Sequence, residues 1–236
     1  MAITITTEPA LLRLMQLSSA SLPVGGYSFS QGLEYAVELD WLTNKEQTAD
    51  WLQLVMHESI ARVDLPLLIR LIDAVQKKEA SQFMYWNATV LACRETKELL
   101  LTETAMGAAL VRLLRDMNIE SGALYFGQPN TVQQSNQKIS FAAAFAVAAV
   151  NWNIGQEAIL IGYLWSWIEN QVAAATKLVP LGQTAAQKLL LELSEQSTSV
   201  IEKASAIKDN EIGASLPGLA MASAWHETQY SRLFRS

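Results

Sequence analysis

The chain has 236 residues, half of them hydrophobic, and a formal net charge of −6. That length suits one large domain with a sizeable core. The acidic balance, with no cluster of Lys and Arg, argues against a nucleic-acid surface, which needs massed cations to neutralise phosphate. A single cysteine, Cys93, excludes a disulfide framework within the chain.

In chain order the helical period dominates. Met1 to Pro9 carries no basic segment followed by an apolar core, so no secretory signal is read there. Leu11, Leu12, Leu14, Met15 and Leu17 mark a first helix after Pro9. Thr43 and Glu46 have capping-box spacing ahead of Trp51, Leu52, Val55 and Ile60, which share a helical face. Asp64-Leu65-Pro66 reads as a cap with proline in the first turn of the next helix. Ser81 precedes Phe83, Trp86 and Val90, and Glu95 to Met117 reads as one long helix. Phe126 to Ser140 is polar and reads as the longest loop.

Phe141 to Ile168 is the most apolar region, but Asn151, Asn153, Gln156 and Glu157 interrupt it. A membrane span needs about 20 largely apolar residues in a row. Two buried helices, Phe141 to Val150 and Ala158 to Ala174, fit better. Gln183 to Ala206 and Gly218 to about Gln229 complete the series. All six prolines fall at or near proposed boundaries, as expected for a residue that costs about 3 kcal/mol inside a helix. The expectation is an all-α, single-domain helical bundle of about ten helices over residues 1–236, with a flexible N-terminus, soluble and cytoplasmic, with no membrane segment.

Little chemistry is visible. No G-x-x-x-x-G-K-[ST] loop for nucleotide is present. His57, His226 and Cys93 are not spaced as a ligand set, so no metal site, cofactor or catalytic residue is assigned. Cys93 reads as a small buried hydrophobe. Glu95 and Glu98, interleaved with Arg94 and Lys97, read as a solvated helix face with ion pairs. An enzyme assembled from scattered residues would need a titratable cluster in a cleft.

Three segments carry more information than a plain bundle requires. Ser21 to Glu34 holds Pro23, Gly25, Gly26 and Gly32, with Tyr27 and Phe29 as aromatic surface; it reads as a turn between helices or as a binding loop. Arg94 to Gly107 reads as a charged helix start that becomes buried. Gly107 costs about 1 kcal/mol against Ala in a helix interior, and close helix–helix approach is one reason to tolerate it. Pro217 to Ser236 ends in Trp225, Tyr230, Arg232, Leu233, Phe234 and Arg235. Aromatics and Arg are the residue types enriched at interface hot spots. Such a tail either docks on its own core or on a partner.

The segment S-L-P-V-G-G-Y-S-F-S-Q-G-L-E (21–34) resembles the N-terminal signature of the UreF family of urease accessory proteins. K-L-V-P-L-G-Q (177–183) resembles that family's central turn, and H-E-T-Q-Y-S-R-L-F-R-S (226–236) its C-terminal ending. The resemblance implies an all-helical homodimer that joins UreD (also called UreH), recruits the GTPase UreG, and serves nickel delivery to apo-urease. Nickel and GTP would belong to the partners. With it come candidate partner-binding residues: Tyr27, Phe29 and Glu34 in the signature, Lys177 at the turn, and Tyr230, Arg232, Phe234 and Arg235 in the tail. The homodimer is expected to use the Ala-rich run Phe141 to Val150 and the Trp165/Trp167 helix. The alternative is a direct regulator of the GTPase cycle, contributing Arg232 or Arg235.

Overall fold

The computed structural model describes residues 7–119, 122–127 and 138–235. Residues 1–6, expected to be flexible, and most of the expected 126–140 loop lie outside them. Among the described residues there is no strand, and no helix is long and apolar enough to cross a membrane. The all-α expectation is met.

Helix α1 (Glu8–Ser18) begins with Pro9 in its first turn, where the missing N–H would have had no intrahelical partner. A 3-10 turn (Gly26–Ser28) leads to α2 (Leu33–Glu38). Helix α3 (Lys45–Val55) is capped one residue later than expected: the Asn44 side chain accepts from the Gln47 amide at 2.9 Å, while the Gln47 side chain accepts from Thr43. The N-cap is therefore Asn44, a strong capping residue, and the return bond from Gln47 reaches Thr43, one residue before it.

The expected break at Asp64 does not occur. Residues Met56–Asp64 form a π-helical stretch that joins α3 directly to α4 (Leu65–Gln76). Asp64 is helical (φ −66°, ψ −53°) and makes no cap. Its carboxylate is used elsewhere, as described below. Helix α5 (Ala80–Ala92) and α6 (Lys97–Asp116) follow, the latter capped by Thr96 Oγ1 accepting from the Leu99 amide at 3.1 Å. A short α7 (Gly122–Phe126) places the Tyr125 ring against Phe83.

Helix α8 (Phe141–Asn151) is the centre of the molecule. Every residue from Phe141 to Ala149 is buried, and the helix packs against α1, α4, α5, α6 and α9 (Gln156–Leu178). Its alanines let neighbouring helices approach closely, so a stretch with no polar face still finds cover within one chain. This differs from the expected dimer role, because α8 has no surface left to offer a second copy. Its N-terminus is satisfied three ways. Ser140 Oγ accepts from the Ala143 amide (3.1 Å), Glu103 accepts from the Ala142 amide (3.0 Å), and Asn87 accepts from the Ser140 amide (2.8 Å). Gly107 of α6 lies against this point. A β-carbon there would collide with Ile139 O and sit 2.7 Å from Ser140 C, so the glycine is required for the α6–α8 approach.

Helix α9 (Gln156–Leu178) buries Leu160, Leu164, Trp167 and Ile168 and leaves Ile161 and Trp165 exposed beside α1. The single helix expected over 183–206 is two, α10 (Gln183–Ser194) and α11 (Ser197–Ala206). The bend lets Val200 and Ala204 pack inward while α11 lies on the π-helical stretch and α4. No Gly or Pro marks that bend, so the sequence period ran through it. Helix α12 (Pro217–His226) ends the helical series and packs on α2.

Candidate partner-docking site

The signature loop is shaped by backbone positions that favour glycine. Gly25 and Gly32 have φ of 74° and 84°, in the left-handed region. Gly32 also starts α2, and a β-carbon there would press on the Ser223 amide of α12 at 3.3 Å. The loop therefore holds α2 close against α12. Trp167 Nε1 donates to Gln31 Oε1 at 3.1 Å, tying the loop to α9.

That closeness brings two carboxylates onto one imidazole. His226, in the last turn of α12, has no exposed surface. Its Nε2 lies 3.0 Å from Glu34 Oε2 on α2, and its Nδ1 lies 2.8 Å from Glu98 Oε2 in the first turn of α6. Glu34 also accepts from the backbone amides of Leu233 (2.6 Å) and Phe234 (2.8 Å). Glu98 also accepts from Arg232 at 3.2 Å. Burial holds the Glu98 carboxyl above its ordinary value, outweighing the downward pull of His226 and Arg232. The Arg235 amide donates to Ser28 O at 2.7 Å, and the Lys177 ammonium lies 5.3 Å from the centre of the Phe234 ring. The tail thus lies on the signature loop and α2, held mainly by its own main chain.

The eight candidate residues separate by placement. Phe29, Glu34 and Phe234 are buried within the chain, so their side chains are turned inward instead of toward a partner. Tyr27 (61% exposed), Tyr230 (fully exposed) and Arg235 face solvent, as does the neighbouring Leu233. Arg232 and Lys177 are exposed but engaged, with Glu98 and Phe234 respectively. His226 and Glu98 were not among the candidates. The spacing Leu219, Ala222, Ser223, His226 is a buried helical stripe and could have turned the histidine inward on paper.

The reading of Arg94 and Glu98 as a solvated face is corrected: Glu98 is buried and the Arg94 side chain is only 12% exposed, turned onto carboxylates of its own chain. Arg94 donates to Asp64 at 2.7 Å and to Glu103 at 2.8 Å. Although burial alone would favour loss of its proton, these two carboxylates hold the guanidinium charged, well above its ordinary value. A cavity of about 90 Å³ lies beside this network, lined in part by Asp64, Arg94, Glu103, Tyr163, Cys93 and Gln31. Burial pushes both Tyr163 and Cys93 up, so each keeps its proton at neutral pH. Arg94 engages one oxygen of each carboxylate, and the cluster reads as a structural ion network. Among the described residues, no group of three or more His, Cys, Asp or Glu is placed to hold a metal. Around His226 the reason is geometric: its two nitrogens point to opposite carboxylates and cannot converge on one ion. His57 accepts or donates a 2.8 Å hydrogen bond with Gln196, a helix-to-helix tie.

A protein from Marinomonas sp. (strain MWYL1) is 49% identical over 232 residues, covering 98% of this chain and 96% of the relative. One from Alkalilimnicola ehrlichii is 48% identical, with 98% of each covered, and one from Hahella chejuensis is 44% identical over 227 residues. All three are described as urease accessory proteins, and that is the class to which the fold and sequence assign this chain. The UreF family model matches residues 42–194. The chain belongs to the UreF family.

Proposed function

We propose that this chain serves urease maturation in the cytoplasm as a helical scaffold, bridging UreD (UreH) and the GTPase UreG so that nickel reaches apo-urease. The single observation that carries the reading is the docked tail, which sets Tyr230, Leu233 and Arg235 in solvent on the same side as the exposed Tyr27 loop. Large exposed aromatics beside an arginine are the residue types that anchor interfaces. The buried members of the candidate set, Phe29, Glu34 and Phe234, support this surface from beneath. Tyr27→Ala and Tyr230→Ala are expected to weaken capture of UreG by the UreD-bound complex by about 1–3 kcal/mol each, with the thermal midpoint nearly unchanged. Pull-down titration with parallel calorimetry checks this. Undiminished capture in both variants would remove the tail and loop from the interface.

A homodimer is the second part of the proposal. Because α8 is internal, a second copy is expected to use exposed apolar residues of α1 and α9, two helices that pack on each other: Leu11, Leu12 and Met15 with Ile161 and Trp165. Met15→Glu with Ile161→Lys is expected to convert the sedimenting species from dimer to 26.0 kDa monomer. The regulator alternative differs in one measurement, GTP turnover by UreG with and without this protein.

A further inference from the structure

The contacts at His226 fix a proton count. A neutral imidazole has one N–H and one lone pair, so it can serve only one of two facing carboxylates. Both ring nitrogens here lie within 3.0 Å of a carboxylate oxygen. Glu34 is already stabilised as an anion by two tail amides, and Glu98 by Arg232. Burial pushes the Glu98 carboxyl up, so the additional proton has two seats, Glu98 and the ring; only on the ring does it serve both carboxylates as anions, and the proposal places it there. Two helix ends favour the same state: His226 sits in the last turn of α12, where a cation is stabilised, and Glu98 in the first turn of α6, where an anion is. With Glu34 and Glu98 negative, and His226 and Arg232 positive, the cluster is neutral. Loss of the ring proton would leave a buried net negative charge and a lone pair against a carboxylate. Other charged groups nearby are Glu227, which accepts from the Lys97 amide, Lys177 over Phe234, and the exposed Arg235.

We propose that His226 is a protonated positioning residue whose two carboxylate contacts hold the tail against α2, so that losing its proton releases the tail and the surface it carries. The proposal rests on the reading of the tail as a partner-docking element and adds its regulation. The sign follows directly. The proton belongs to the docked state, so docking is complete below the ring's titration and weakens as pH rises through it, by up to about tenfold per pH unit for one proton. An alkaline shift thus turns the surface off.

The test uses the full chain between pH 5.5 and 9. The sequence has only two histidines, so imidazole nitrogen shifts, with His57→Gln for assignment, report the protonation of His226 directly. Exchange of the Leu233 and Phe234 amides, corrected for intrinsic pH dependence, reports the docked tail. The expected result is that both amides lose protection over the same pH interval in which the ring loses its proton, approaching tenfold per unit. In His226→Gln these amides should be poorly protected at every pH, with no slope. If that variant fails to fold, the wild-type titration decides alone. Protection that stays flat across the whole range, whatever the ring does, overturns the proposal, as does a ring found neutral while the tail is docked. UreG capture measured at both ends of the range separates the two readings. Capture that ignores a tail shown to detach refutes the recruitment role and leaves the latch standing.

Discussion

Replacing Arg94 by Met is expected to remove about 3–5 kcal/mol of stability, the range for breaking a buried ion pair on one side only. Asp64 and Glu103 would remain, each with little side-chain exposure (5% and 9%), their shared cation gone. Tyr163, which faces both carboxylates, is a neutral phenol and supplies no positive charge in its place. The loss reaches beyond the pair. Glu103 also accepts the Ala142 amide at the start of α8, so a displaced carboxylate uncaps the central helix. In a chain of this size the midpoint should fall on the order of 10 °C. The deficit should shrink on acidification, because a proton shared by the two stranded carboxylates relieves their repulsion. Thermal melts of wild type and variant at pH 5 and pH 8 check both statements. A Met variant as stable as wild type at pH 8 would mean that the network contributes nothing net.

Gly107→Ala is the second large effect, and its direction runs against helix propensity. In an exposed helix the change would stabilise by about 1 kcal/mol. Here the new methyl meets the backbone of Ile139, Ser140 and Phe141, which is fixed by the Asn87 and Ser140 hydrogen bonds and cannot step aside. Overpacking of this kind costs about 1–3 kcal/mol and occasionally more, and a backbone collision belongs at the upper end. We expect a net loss of about 2–3 kcal/mol by denaturant titration. Gly107→Ala folding with wild-type stability would show that α6 and α8 can part more readily than their contacts imply.

Much of the fold was legible because burial follows helical spacing and most prolines mark ends. Pro9 and Pro217 lie in the first turns of separate helices, whereas Pro66 follows the π-helical stretch without a break, and Gly107 marked a close approach that the packing contains. What escaped was whatever depends on distant partners. The i, i+3 and i+4 pattern of Arg94, Glu95, Lys97 and Glu98 is identical for a solvated face and for a charged segment whose partners come from elsewhere. The partner of Glu98 lies 128 residues away, and that of Glu34 lies 192 away. The π-helical stretch escaped too, since nothing in the residues Met56–Asp64 marks the change from i→i+4 to i→i+5 bonding. At the candidate site, the motifs located the loop and the tail but not their relation. Tyr27, Tyr230 and Arg235 proved outward-facing, whereas Phe29 and Phe234 face inward, and residue type alone does not separate an aromatic anchor for a partner from one for the chain's own core.

The tie between α2 and the tail also has a meaning in time. During synthesis Glu34 emerges from the ribosome long before His226, Leu233 and Phe234 exist, and its burial has no compensating donor until they do. Closing a contact that spans about two hundred residues is slow relative to local helix formation. The N-terminal signature is therefore expected to reach its final packing only after the tail has been translated. A chain arrested or clipped before residue 226 would leave the Glu34 carboxylate on α2 without these three donors, and α2 without the contact that buries it.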